Sequence, residues 1–170
     1  LHYLSSKPEL TVKGTYYSFH AKNTHFFDVF HPDSKENFDI EAFNPDMILH
    51  CGALTHVDYC EDHPEESHRQ TVDSTRRIIE LCKRFTAKLI YISSDYVFDG
   101  ENGPYKETDQ ANPLSYYGKS KLAAEKLVQQ ANTQWSIVRT IIVYGVAENM
   151  SRSNIVLWAK QALEKGDPLT

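Results

Sequence analysis

Two hydrophobic patterns alternate along this chain. Short, nearly continuous apolar runs occur at "LTVKGTYYS" (10–18), "PDMILHCGA" (45–53), "AKLIYIS" (87–93) and "QWSIVRTIIVYG" (134–145). Their β-branched and aromatic content reads as strands, and strands apolar on both faces are buried on both faces. Between them lie segments with helical spacing. In "PEESHRQTVDSTRRIIELCKRF" (64–85), Val72, Thr75, Ile79 and Cys82 form an apolar stripe. Pro64 suits the first helical position, acids follow it, and Lys83 and Arg84 fall in the last turn. A second helix is expected from "NPLSYYGKSKLAAEKLVQQA", with Asn112 as N-cap and Pro113 at its first position. A third is expected from "SRSNIVLWAKQALEKG", capped by Ser151 or Ser153 and stopped by Gly166, with Ile155, Trp158, Ala159, Ala162 and Leu163 on its buried side.

Strands alternating with helices predict an α/β fold of the doubly wound, parallel kind. Ligands in such sheets bind beyond the carboxyl ends of the strands. Three strand ends here are polar or carry a glycine: "HCGALTHVD", "SSDYVFDG" and "YGVAEN". They are expected to line one crevice.

Composition narrows the class. The chain has 170 residues and a formal net charge of -5, against the basic face that nucleic acid or an anionic membrane requires. No apolar run approaches the roughly 20 residues of a membrane helix. Three cysteines, Cys51, Cys60 and Cys82, have no disulfide-framework spacing and read as reduced thiols, so a cytoplasmic location is expected. His50, Cys51, His56, Cys60, His63 and His68 crowd one stretch, but their spacing fits no paired zinc pattern, and no metal is expected. Asp58, Glu61, Asp62, Glu65 and Glu66 surround a helix start, where acids suit the dipole without further purpose. Arg139, inside a strand, reads as an ion-pair partner.

Tyr117 and Lys121 are four apart and share one helix face. A free phenol, with a pKa near 10, exchanges protons poorly at neutral pH, and a nearby cation favours the phenolate. The pair therefore suits general acid–base chemistry on a carbonyl or alcohol, and Ser94, at the preceding strand end, could bind the same oxygen. The bland alternative is a half-buried tyrosine beside a solvated lysine.

The surrounding motifs carry a resemblance. "SSDYVFDG" (93–100), "PYKETD" (104–109), "NPLSYYGKSKLAAEK" (112–126), "VRTIIVYG" (138–145) and, upstream, "PDMILHCGALTHVDYCED" together resemble the extended short-chain dehydrogenase/reductases, within them the dTDP-4-dehydrorhamnose reductase group. The resemblance implies NAD(P)H-dependent reduction of a 4-keto deoxysugar nucleotide on a Rossmann-like domain. Ser94, Tyr117 and Lys121 would be catalytic, with Tyr117 donating the proton and Lys121 lowering its pKa and holding the nicotinamide ribose. Cys51, Gly52 and Ala53 would approach the cofactor, and Asp28 its adenine. Thr55, Val57, Asp95 and Tyr96 would border the sugar, with Asp58 beside both ligands. Ser18 and Lys22, with no acid after the second strand, suit the 2′-phosphate of NADPH, although NAD is not excluded.

The chain departs from that pattern. None of its seven glycines makes a strand–glycine-loop–helix fingerprint. The expectation is a partial Rossmann-like domain over 1–170, without the first strand and most of the substrate lobe, which would begin near 166–170. Asp73 stands where the group has an amide, and Cys51 where it has alanine or asparagine. The alternatives are an epimerase or dehydratase of the same fold, or a non-catalytic nucleotide-binding subunit resembling the regulatory subunit of methionine adenosyltransferase. A nucleotide-sugar substrate is implied, and a homodimer is compatible with the resemblance.

Overall fold

In the computed structural model, residues 2–143 and 155–166 are described. The strands are β1 (Gly14–Tyr16), β2 (Thr24–Phe26), β3 (Met47–His50), β4 (Lys88–Ser94) and β5 (Trp135–Thr140). The helices are α1 (His2–Ser5), α2 (Ile40–Phe43), α3 (Val57–Asp62), α4 (Pro64–Ser67), α5 (Ser74–Phe85), α6 (Tyr116–Gln129) and α7 (Ile155–Lys165). A wide π turn, His68–Asp73, joins α4 to α5, so the helix read over 64–85 is continuous in space but not uniform. A 3₁₀ turn, Asp95–Val97, follows β4.

The strands form two sheets, β1–β2 and β3–β4–β5, and the pairs β1/β2 and β3/β4 are parallel. A doubly wound sheet has the order 3-2-1-4-5-6. The groups 3-2 and 4-5-6 of that order match the division into two and three strands seen here. β2 is the strand that the apolar pattern did not reveal: Phe26 and Phe27 run straight into the polar turn at Asp28.

Register explains which residues form the core. Ile48 pairs with Leu89 and His50 with Tyr91. Leu89 and Tyr91 are fully buried, packed with Ile78, Cys82, Ala124 and Val128 from α5 and α6. The opposite face carries Met47 and Leu49, paired with Lys88 and Ile90, and both are about half exposed. The stripe behaves as its spacing predicts, with Val72 of the π turn and Thr75, Ile79 and Cys82 of α5 all buried. Thr86 ends α5 in the left-handed region at φ 55°, a conformation usually left to glycine.

Two expectations are corrected. α6 starts at Tyr116, and its N-cap is Ser115, whose hydroxyl accepts from Gly118 N at 3.1 Å. Asn112 instead donates to Asp99 Oδ2 at 2.9 Å, because the carboxylate of Asp99 gathers the loop ahead of the helix. On α7, Gly166 does end the helix with φ 75°, and Ala162 is buried, but Leu163 is exposed. The side chains of Ile155 and Trp158, the caps Ser151 and Ser153, and "YGVAEN" lie outside the described residues. α7 belongs to a second compact unit, residues 140–170; everything below concerns residues 1–139.

Gly118 sets how closely α6 can lie on the 3₁₀ turn. A Cβ there would sit 2.2 Å from Tyr96 O and 3.0 Å from Pro113 Cβ. Gly118→Ala must therefore push α6 away from backbone. It should cost about 2–3 kcal/mol or more, the upper range for overpacking, measured by urea denaturation.

Candidate active site

β3 and β4 are neighbours and parallel, so their carboxyl ends lie side by side. The segments 51–56 and 95–98 leave from those ends, and α6 crosses beside the second of them. This brings Ser94, Asp95, Tyr96, Tyr117, Lys121 and Cys51 into one neighbourhood. Ser94 is buried at the end of β4. Its hydroxyl accepts from Tyr96 N at 3.3 Å and donates to Asp95 Oδ1 at 3.0 Å. The Tyr96 and Tyr117 rings meet edge to face at 5.5 Å. Burial pushes the Tyr117 phenol up, the neighbouring Ser94 hydroxyl draws it down, and Cys60, Asp95 and Tyr96 add to the upward push. Ser94 and Tyr117 are thus neighbours around Tyr96.

Lys121 departs from the bland alternative. It is 3% exposed, far from a solvated lysine. Its ammonium donates to Ile92 O at 2.6 Å and stands 4.4 Å from the centroid of the Tyr91 ring. Burial drives its pKa down to about 8, opposed by Glu125 and Cys51. The Tyr117 phenol is held above its ordinary value, not below it. The Lys121 ammonium is turned toward the β4 carbonyl at Ile92.

The 51–54 segment is fastened from behind by a residue that sequence reasoning missed. Thr71, fully buried in the π turn, accepts from Leu54 N at 3.3 Å, and its carbonyl accepts from the hydroxyls of Ser74 and Thr75. Asp73, where an amide was expected to bridge backbone, points outward and pairs with Arg76 at 2.5 Å. Thr75 gives its proton to Thr71 O, so its oxygen must accept from His50 Nε2 at 3.2 Å. That fixes the imidazole as the Nε2–H tautomer. A Cβ at Gly52 would lie 3.1 Å from His50 Cε1, so Gly52 makes room for that ring. The acidic set has a local duty as well: the carboxylate of Glu61 accepts from Tyr116 N and caps α6.

The other expected positions are more dispersed. Thr55 is exposed, and Val57, half-buried, opens α3. Ser18 and Lys22 are exposed in the turn after β1. Asp28 is held by its own loop, accepting from Phe30 N at 2.9 Å and pairing with His31 at 2.8 Å. Burial pushes its carboxyl up, but the bonds to His31 and Phe30 and the charge of Arg69 leave it below the usual range. Arg139 is an ion-pair partner, as read from sequence: it grips Glu125 with two bonds, 3.0 and 2.7 Å. Among the described residues, no group of three or more His, Cys, Asp or Glu is placed to hold a metal ion. No described helix is long and apolar enough to cross a membrane.

Comparison with known proteins places this arrangement. The family model described as "RmlD substrate binding domain" matches residues 9–169. A hypothetical dTDP-4-dehydrorhamnose reductase from Sulfolobus tokodaii superposes with a TM-score of 0.82 at 30% identity, over 99% of this chain and 57% of that one. A dTDP-4-dehydrorhamnose reductase from Bacillus anthracis, solved with NADP, gives 0.67 at 31% identity, over 74% and 44%. The bovine methionine adenosyltransferase 2 subunit beta is 41% identical over 118 residues, 69% of this chain and 35% of that protein. The chain thus spans only about a third of this curated relative.

Burial lowers the pKa of His50 from 6.5 to about 3, with the charge of Lys121 adding to the effect. The unfolded chain binds this proton below about pH 6.5 and the folded chain does not, so His50 favours folding fully above that pH. The contribution fades as pH falls from about 6.5 toward 3, by up to ~1.4 kcal/mol per pH unit. In His50→Gln, which keeps an N–H toward Thr75, stability plotted against pH should lose most of that slope. An unchanged slope in urea titrations would show that His50 does not set it.

Proposed function

We propose, since the chain belongs to the RmlD substrate-binding-domain family, that the whole protein is an NADPH-dependent reductase of a 4-keto deoxysugar nucleotide. The observation that carries this reading is the convergence of Ser94 and Tyr117 at the end of β4, with Lys121 one helical turn further on.

The residues fit a nicotinamide cofactor at its two ends. Lys121 and Tyr117 would hold the nicotinamide ribose. Ser18 and Lys22 would take a 2′-phosphate, and no acid stands between residues 14 and 26 to prefer a free 2′-hydroxyl. Cys51, Gly52 and Ala53 border the same neighbourhood, and Asp28 belongs to the adenine end. The cofactor would supply the hydride. The protein's own part is proton delivery. A phenol kept protonated by burial is a competent acid toward a carbonyl oxygen that gains negative charge. The Ser94 hydroxyl would bind that oxygen beside it and fix its position. Thr55, Val57, Asp58, Asp95 and Tyr96 would border the sugar.

A second reading has its own support. The bovine relative is a methionine adenosyltransferase subunit, and here Lys121 is turned to a backbone carbonyl and leaves Tyr117 unactivated. On that reading the fold binds a nucleotide and a partner chain without turnover.

Tyr117→Phe separates the two. In the full-length protein with NADPH and a dTDP-linked 4-keto-6-deoxysugar, turnover should fall about 100-fold or more while cofactor affinity barely changes. Lys121→Met should harm both. A Phe variant that reduces the sugar at the wild-type rate overturns the mechanism, and an absence of NADPH oxidation in the wild type favours the subunit reading. Fluorescence titration should show NADPH binding at least as tight as NADH.

A further inference from the structure

α6 carries three polar residues on one buried face, each four positions apart: Tyr117, Lys121 and Glu125. The proposed chemistry uses the first two. Glu125 is 1% exposed, more deeply buried than either. Both its oxygens are taken by Arg139 of β5, Nε to Oε1 at 3.0 Å and Nη2 to Oε2 at 2.7 Å. Arg139 is itself fixed, donating through Nη1 to Glu107 O at 3.3 Å and lying 5.0 Å over the Phe98 ring. The carboxylate is therefore immobile, anchored by the next strand and by the loop that leaves Ser94.

The groups that face Lys121 come from three elements. From β3 and the residue after it come His50 and Cys51, from β4 comes Tyr91, and from α6 itself comes Glu125. Burial leaves His50 without a proton and keeps the Tyr91 and Tyr117 phenols protonated at neutral pH, and the thiol of Cys51, an exposed residue, is also held above its ordinary value. Glu125 is the acidic side chain that remains. The bond from Lys121 to Ile92 O and the Tyr91 ring face satisfy the ammonium's geometry but supply no formal charge.

We propose that Glu125, clamped by Arg139, is a positioning residue that holds Lys121 in its ammonium form one turn from Tyr117. It touches neither substrate nor cofactor. Its link to turnover rests on the reductase reading; its effect on Lys121 does not. The field of a fixed carboxylate one turn away opposes the burial that would otherwise neutralise the amine. The same clamp ties α6 to β5, so the ammonium and the helix that carries Tyr117 are set by one ion pair.

The test is a titration of the Lys121 side chain by NMR in the full-length protein, assigned by its loss in Lys121→Met. Glu125→Gln should shift the transition toward acid by about one pH unit, a roughly tenfold change in the amine-to-ammonium ratio at a given pH. The double variant Glu125→Gln, Arg139→Gln keeps polar groups on both sides without the charges, and it should shift the same way. Glu125→Asp, which retains the charge, should restore most of the wild-type value. If Glu125→Gln does not fold, the double variant and Glu125→Asp decide. An unmoved Lys121 transition in any folded variant lacking the carboxylate overturns the proposal, whatever happens to activity. Where turnover is present, the alkaline limb of its pH profile should move toward acid with the titration, which a merely structural role would not produce. A shifted transition in a protein without turnover upholds the role of Glu125 and fails the reductase reading alone.

Discussion

The contact on which the site depends is backbone against backbone. α6 lies so close to the 3₁₀ turn after β4 that position 118 has no room for a Cβ. That approach puts the Tyr117 ring against Tyr96 and the phenol within reach of Ser94. It also carries Lys121 under the β4 carbonyls. Glycine near the start of a helix sacrifices propensity, and here the sacrifice is offset by a packing distance no other residue permits. The N-terminus of the helix is then held twice, by Ser115 on Gly118 N and by Glu61 on Tyr116 N.

Burial around that contact has one electrostatic consequence repeated across several side chains. It pushes each toward its neutral form: His50 down to about 3, Lys121 down to about 8, and Cys51, Tyr91 and Tyr117 up. Low dielectric is the common cause. A protonated phenol beside a serine hydroxyl suits donation of a proton to a carbonyl oxygen. The same group would take the proton back in the reverse step, so its protonation bears on the pH range of the proposed reaction and not on its direction.

Sequence reasoning reached these features unevenly. Strands β1, β3, β4 and β5, the apolar stripe running into α5 and the shared helix face of Tyr117 and Lys121 were legible because periodicity and i, i+4 spacing are local properties. Glu125–Arg139 was half legible: a strand arginine asks for a partner, but fourteen residues of separation do not name it. Thr71 and His50 were hidden, since a threonine inside a helical stripe and a histidine inside a strand look like ordinary core residues. Their roles arise only when β3 and the π turn meet. The cap of α6 was misplaced because Asn112–Pro113 is a good local start signal. Asp99 competes for that asparagine, and the start passes to Ser115.

The presence of Ser94, Tyr117 and Lys121 is not by itself an argument for chemistry, because each has a structural duty. Ser94 caps the 3₁₀ turn, Tyr117 packs on Tyr96, and Lys121 bonds Ile92 O. Ser94 and Tyr117 fill those duties cheaply. Lys121 does not. An ammonium at 3% exposure, bonded to a neutral carbonyl and facing a neutral ring, forfeits hydration that neither contact fully replaces. Burial accordingly drives the amine's pKa down to about 8, with Glu125 and Cys51 opposing it. A methionine would fill the same volume without that loss. A fold selected for packing alone would discard such a lysine, whereas one that must present a cation to a ligand beside Tyr117 would keep it and surround it with an anchored carboxylate. The energetically unfavourable residue, not the familiar spacing, is the stronger physical support for the proposed function.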